Sequence, residues 1–443
     1  MQKLSTFLIA LTFVLLSGMA RAGLDIQLWT TPEGARVYFV QTDALPILDV
    51  QVDFAAGSAF DPAGKASLAS FTRGLLDSGA GELDEDAIAN RLADVGAQMG
   101  GGVDDDRASV SLRTLSSKAE RDGAVNLLVT LLQQPTFPAA VLEREKKRAV
   151  ADLQQALTQP GTIASRRFTE AIYGTHPYGR LATAASIDEV SREDVVGFYK
   201  THYTVERSSI SMVGDLSRSE AEALAARISA GLPRGGADDG IPPVPMSAAA
   251  DIRVPHPSAQ AHIMIGMPGI KREDPDYYPL LIGNYVLGGG GFVSRLMEEV
   301  REKRGYAYSA YSYFAPQQEA GPFQIGLQTK GSQVDDALAV VAQTLKDFIA
   351  DGPTEEELAA ARDYTINGFG LRLDSNRKVL GYVAVIGFYQ LPLDWLDQYP
   401  QRVAELTVAQ VRDAFQRRVK PEHLVRVVVG GDGDTTQATA AAQ

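Results

Sequence analysis

Two stretches of this chain repeat one another at an offset of 406 − 190 = 216 residues, and that repeat constrains the fold more than any other feature. VSREDVVGFYKTHYTVERSSISMVGD at Val190–Asp215 matches LTVAQVRDAFQRRVKPEHLVRVVVGG at Leu406–Gly431 in pattern. Tyr199 falls on Phe415, Glu206 on Glu422, Val213 on Val429 and Gly214 on Gly430. Each copy reads as an amphipathic helix, a short turn and a strand that ends in glycine. Between the copies, PRGGADDGIPPVPMSAAA at Pro233–Ala250 replaces periodic apolar residues with Pro, Gly and Asp. No helix or strand should persist there, so the segment reads as a hinge between two halves.

Each half opens in alternating strands and continues in helices. In the first, Asp25–Trp29, Ala35–Val40, Leu48–Ala55 and Ala108–Leu112 read as strands, and Lys65–Ser78 and Asp84–Gly96 as helices. Helices then run from Lys118 to Tyr173 with breaks at Pro135 and Pro160. In the second, Ala261–Gly266 is a strand, Pro275–Leu287 and Val293–Arg304 are helices, and Tyr306–Phe314 with Gly321–Thr329 alternates as a hairpin does. Helices at Val334–Ala350 and Glu355–Asp374 follow. Strands gathered early, helices later and a returning strand in each half predict an α+β fold of two duplicated halves, each a mainly antiparallel sheet covered by helices. The expected division is a leader at 1–22, a first half at 23–232, a linker at 233–250 and a second half at 251–443.

Residues 1–22 read as a sorting signal. Lys3 supplies a basic start, Leu4–Leu16 an apolar core, and Ala20-Arg21-Ala22 a cleavage site, so the mature chain is expected to begin at Gly23. The apolar run is shorter than the roughly 20 residues a span requires, and nothing later is apolar enough, so no membrane span is expected in the mature chain. With no cysteine, the chain has no disulfide, thiol nucleophile or thiolate zinc site, which suits export to a bacterial periplasm. The net charge of −13 comes with no basic stripe, which argues against nucleic acid as a partner.

The usual catalytic signatures are missing. His176, His202, His256, His262 and His423 include no i, i+4 pair for presenting a metal from a helix, and no G-x-S-x-G elbow is present. Asp104-Asp105-Asp106 lacks calcium-loop spacing and reads as a solvated turn. Gly288, Gly289, Gly290 and Gly291 precede a helix but lack the Lys-Ser/Thr of a phosphate loop. Close approach to a peptide backbone suits them better than a phosphate. In Leu296–Ser309 a charged helix end passes through Gly305 into an aromatic strand, so Arg301 and Tyr308 can converge. A fixed cation beside a phenol can bind a carbonyl and stabilise an oxyanion. Spacing alone is equally met by a solvated helix residue and a half-buried strand residue, and it favours that plainer pair.

These segments resemble the pitrilysin/insulinase-type metallopeptidases, in particular the short two-half members related to mitochondrial processing peptidase. The resemblance runs from about Gly23 to Gly431 and rests on VREKRGYAYS, LGGGGFVSRL, YGTHPYGR and FYKTHYTVERSSISMVGD. It implies the processing-peptidase-like fold and, for Arg301 and Tyr308, contact with substrate at a zinc site. The family's G-S-x-x-D stretch is recognisable at Gly57–Ala69, but where catalytic members continue with H-x-x-E-H this chain reads Ser70-Phe71-Thr72-Arg73-Gly74. Ser70 and Gly74 replace both histidines, and Arg73 replaces the glutamate. The distal acidic ligand falls at Asp152 without partners.

Together these features imply a chain that binds no catalytic zinc and is inactive alone. The resemblance points to the non-catalytic subunit of a heterodimeric zinc peptidase, its homologous partner carrying H-x-x-E-H and zinc. Arg301 and Tyr308 would then bind the scissile carbonyl in trans, and Gly288–Gly291 would contact extended peptide. The strand near Ala108–Leu112 is expected to be the sheet edge to which peptides add. The alternatives are an inert structural homologue and an autonomous peptide-binding protein.

Overall fold

The computed structural model describes residues 24–235 and 240–431, so the leader and the Ala-rich tail lie outside the described residues. The first half forms strands β1 (Gln27–Thr30), β2 (Arg36–Gln41), β3 (Ile47–Phe54), the short ribbon β4 (Gly79–Ala80) and β5 (Leu83–Asp84), β6 (Gln98–Gly100), β7 (Ala108–Leu115) and β8 (Ser208–Gly214). The second forms β9 (Ala250–Val254), β10 (Gln260–Pro268), β11 (Ala307–Phe314), β12 (Pro322–Lys330) and β13 (Val425–Gly430). The main sheets run β1-β2-β8-β3-β7-β6 and β9-β13-β10-β12-β11. Apart from β1 they have one topology. The first strand of each half lies parallel to its last, β2 beside β8 and β9 beside β13, and every other pairing is antiparallel.

The helices of the first half are α1 (Leu68–Gly74), α2 (Glu85–Asp94), α3 (Lys118–Gln133), α4 (Ala139–Ala156), α5 (Pro160–Tyr173), α6 (Ala184–Asp188), α7 (Arg192–His202) and α8 (Arg218–Ser229). Those of the second are α9 (Tyr277–Asn284), α10 (Val334–Asp351), α11 (Glu355–Asn367), α12 (Asn376–Phe388), α13 (Trp395–Ala404) and α14 (Val408–Arg418). Helix α7 and helix α14 are offset by 408 − 192 = 216, and each begins with a capping box, Ser191 with Asp194 and Thr407 with Gln410. Among the described residues no helix is long and apolar enough to cross a membrane.

One face of each sheet is covered by its own half. Val50, Val52 and Phe54 pack with Leu128 of α3 and Val195 of α7, while Ile263, Ile325 and Leu327 pack with Val341 of α10 and Phe415 of α14. The other face is covered by the opposite half. Ala164, Phe168 and Ile172 of α5 lie on Val425, Val427 and Val429 of β13. Reciprocally, Val379, Val383 and Ile386 of α12 lie on Tyr38, Val40 and Val213 of the first sheet.

Three expectations require correction. Strand β7 is not an edge, because β6 pairs along its outer side and is itself the edge. The described part of the linker is not a free hinge: Ile241 is buried, the Pro242 carbonyl lies 2.7 Å from His176 Nε2, and Ser247 and His423 exchange two hydrogen bonds. The Asp104–Asp106 triplet is no solvated turn either. Asp106 is 1% exposed and accepts hydrogen bonds from Tyr178 of the first half and from Tyr389 and the Gln318 amide of the second. Asp105 likewise joins Ser58 to Gln317.

Candidate functional site

The helix expected to carry metal ligands is α1. Asp61 fixes its start, its carboxylate accepting from the Ser67 and Ala69 amides at 2.8 and 2.7 Å. Arg73 is buried, and its guanidinium donates to the carbonyls of Ser109 at 2.6 Å and Gly100 at 2.5 Å. It ties α1 to the β6–β7 hairpin. Ser70, Gly74 and Asp152 do come together, lining one cleft of about 570 Å³. Asp152 is largely exposed there and lies 3.8 Å from Arg148. A serine hydroxyl, a bare glycine and an arginine committed to carbonyls are not a zinc donor set. Among the described residues no group of three or more His, Asp or Glu is arranged to hold a metal.

Arg301 and Tyr308 do converge. Arg301 sits on a wide π-wound turn, Met297–Glu302, of the type that recurs at functional sites. The chain then reverses at Gly305, whose φ of +65° suits glycine. A register shift between Ala307 and Ala310 follows on β11 and leaves Tyr308 84% exposed. The Arg301 guanidinium carbon lies 5.1 Å from the Tyr308 ring centroid and 4.7 Å from that of exposed Phe292. Two rings therefore hold a cation in place where solvent and a ligand can reach it.

The glycine run has a different local role from the one expected. A Cβ on Gly288 would stand 2.6 Å from the Ser312 amide, one on Gly289 2.7 Å from Asn284 Nδ2, and one on Gly290 2.7 Å from the Tyr285 carbonyl. The close approach these three permit is to the chain's own groups. Gly291 alone faces open space, next to Phe292.

Sequence reasoning missed the polar interior of the first half. Asp53 is fully buried with Arg107 3.4 Å away, and burial pushes its carboxyl up from 3.8 to about 6. Asp61 is likewise pushed up to about 6, chiefly by burial. Raised carboxyl values mean that the folded chain binds these protons more tightly than the unfolded one. Their contribution to stability is therefore full below about pH 4 and is lost as pH rises through about 6. The urea midpoint of Asp53→Asn should accordingly fall less than that of the parent chain between pH 5 and pH 7. Identical slopes would show that Asp53 does not titrate there.

Residues 36–185 match the family model described as Insulinase (Peptidase family M16), and residues 189–364 match Peptidase M16 inactive domain. Non-peptidase homolog YmxG of Helicobacter pylori is 24% identical over 400 residues, covering 89% of this chain and 91% of that protein. An uncharacterized zinc protease of Streptomyces coelicolor is 26% identical over 250 residues, and the chain spans only 54% of its length. The crystal structure of a peptidase M16 inactive domain from Pseudomonas fluorescens superimposes with a TM-score of 0.88 at 38% identity, covering 92% of this chain and 98% of that one.

Proposed function

Because the chain belongs to the peptidase M16 family, we propose that it is a non-catalytic M16 homologue that completes the site of a zinc-bearing, H-x-x-E-H partner in a heterodimer. The observation that carries this reading is the contrast between its two halves. Arg73 occupies the place of the water-activating carboxylate and is locked to two carbonyls. Arg301, in contrast, rests against two exposed rings, with its side chain 28% exposed and 3.5 Å from Glu302. In this reading the chain binds no catalytic zinc. Arg301 and Tyr308 polarise the scissile carbonyl of a peptide held at the partner's metal, with Gly291 and Phe292 touching the flanking backbone. The leader-like residues 1–22 support export, with the periplasm as the working compartment.

The test is turnover of the reconstituted complex. Arg301→Ala should leave assembly intact and lower kcat/KM about 100-fold, the scale of losing one oxyanion donor. Unchanged turnover would favour the inert, scaffold-like reading. Stoichiometric zinc on the isolated chain would overturn the assignment of α1 as metal-free.

A further inference from the structure

Beside Tyr308, on the uncovered part of the second sheet, lies a cavity of about 510 Å³ lined by Gly161, His262, Met264, Tyr308, Tyr311 and Gln328, among others. Its chemistry is one-sided. His262 and Gln328 stand directly opposite each other across β10 and β12, so their side chains share a face. Gln260, also in the lining, stands opposite Lys330 in the same ladder. The wall contributed by Gly161 is the start of α5, fourteen residues long with no side-chain cap and no acidic residue in its first turn. The positive end of that helix therefore borders the cavity. Among the described residues no carboxylate lines the space, although the chain as a whole carries −13. Burial and neighbouring His256 hold His262 below the usual histidine range, so at neutral pH it offers an N–H without carrying a charge. Tyr311, which lines the cavity, stacks nearly parallel to Tyr313 along β11 with ring centroids 6.2 Å apart.

We propose that this cavity is a carboxylate subsite, in which His262, Gln260 and Gln328 receive an anionic group of an extended peptide whose neighbouring carbonyl is held by Arg301 and Tyr308. This rests on the reading of Arg301 and Tyr308 given above and adds to it a preference for acidic peptides. The carboxylate has two possible sources, an Asp or Glu side chain and a free C-terminus. Both present two oxygens to amide and imidazole donors.

Binding to the purified chain is measured by fluorescence anisotropy with three dansylated probes. These are Ala-Phe-Ala-Glu-Ala-Phe amide, its Gln counterpart, and that Gln peptide with a free C-terminal carboxylate. The Glu amide should bind about tenfold tighter than the Gln amide, the worth of one charge-assisted hydrogen bond. If the free-acid peptide shows the gain and the Glu amide does not, the subsite reads the chain terminus instead. His262→Ala combined with Gln328→Ala should bring the ratio to about one, while Arg301→Ala should weaken all three probes and leave the ratio standing. Equal binding of all three probes by the parent chain, or a ratio untouched by the double change, would overturn the subsite. A ratio that persists while Arg301→Ala alters nothing would overturn the Arg301 and Tyr308 reading instead.

Discussion

Arg73→Glu should destabilise the chain by about 3–5 kcal/mol, measured as a lower urea midpoint at unchanged m-value. The change removes two charge-assisted hydrogen bonds, to the carbonyls of Ser109 and Gly100, and points a carboxylate at both oxygens in a buried place. Arg73→Lys should recover part of the loss, since an ammonium can reach one carbonyl but lacks the planar fork that serves two. Restoring a zinc helix by Ser70→His, Arg73→Glu and Gly74→His is therefore opposed by the fold itself. The guanidinium has become the tie between α1 and the β6–β7 hairpin. A stability change below about 1 kcal/mol for Arg73→Glu would mean that the hairpin holds without that tie.

The second large effect is expected at Asp106. Asp106→Ala removes the acceptor shared by Tyr178, Tyr389 and the Gln318 amide and leaves one buried and two half-buried donors between the halves without it. The expected cost is about 3–5 kcal/mol, against about 1–2 kcal/mol for Tyr389→Phe, which removes a single donor. The two tryptophans allow the halves to be followed separately, because Trp29 lies on β1 and Trp395 on α13. Both should report the same lowered midpoint, since the exchanged helices still couple the sheets. Separate midpoints would show that Asp106 alone carries the coupling.

Much of this architecture was legible in the sequence, because duplication leaves a pattern that needs no partner to read. The match of Gly214 to Gly430 locates the last residue of the returning strand in both sheets. Carried through the rest of the chain, the same offset would have located α12. Its start, Asn376, stands 376 − 160 = 216 residues after that of α5. By periodicity alone α12 is not legible, because a helix buried against a foreign sheet has no polar face to mark its period. The Asp104–Asp106 turn failed for a related reason. Three consecutive aspartates describe a solvated loop unless their partners, more than 70 residues away for Tyr178 and more than 280 for Tyr389, are known to arrive. The meeting of Arg301 and Tyr308 was legible as spacing, but the third member, Phe292, was not. Its role depends on a wide turn that brings it back over the guanidinium.

The exchange of α5 and α12 also governs how the chain is made. The first sheet has all its strands by Gly214, yet the helix that covers its inner face begins at Asn376, 376 − 214 = 162 residues later. Until that helix arrives, Tyr38, Val40 and Val213 form an apolar strip on a sheet with nothing of its own half to bury it. The first half by itself therefore has an unfinished surface, and a chain cut before Asn376 should bind chaperones that the chain extended through Phe388 does not.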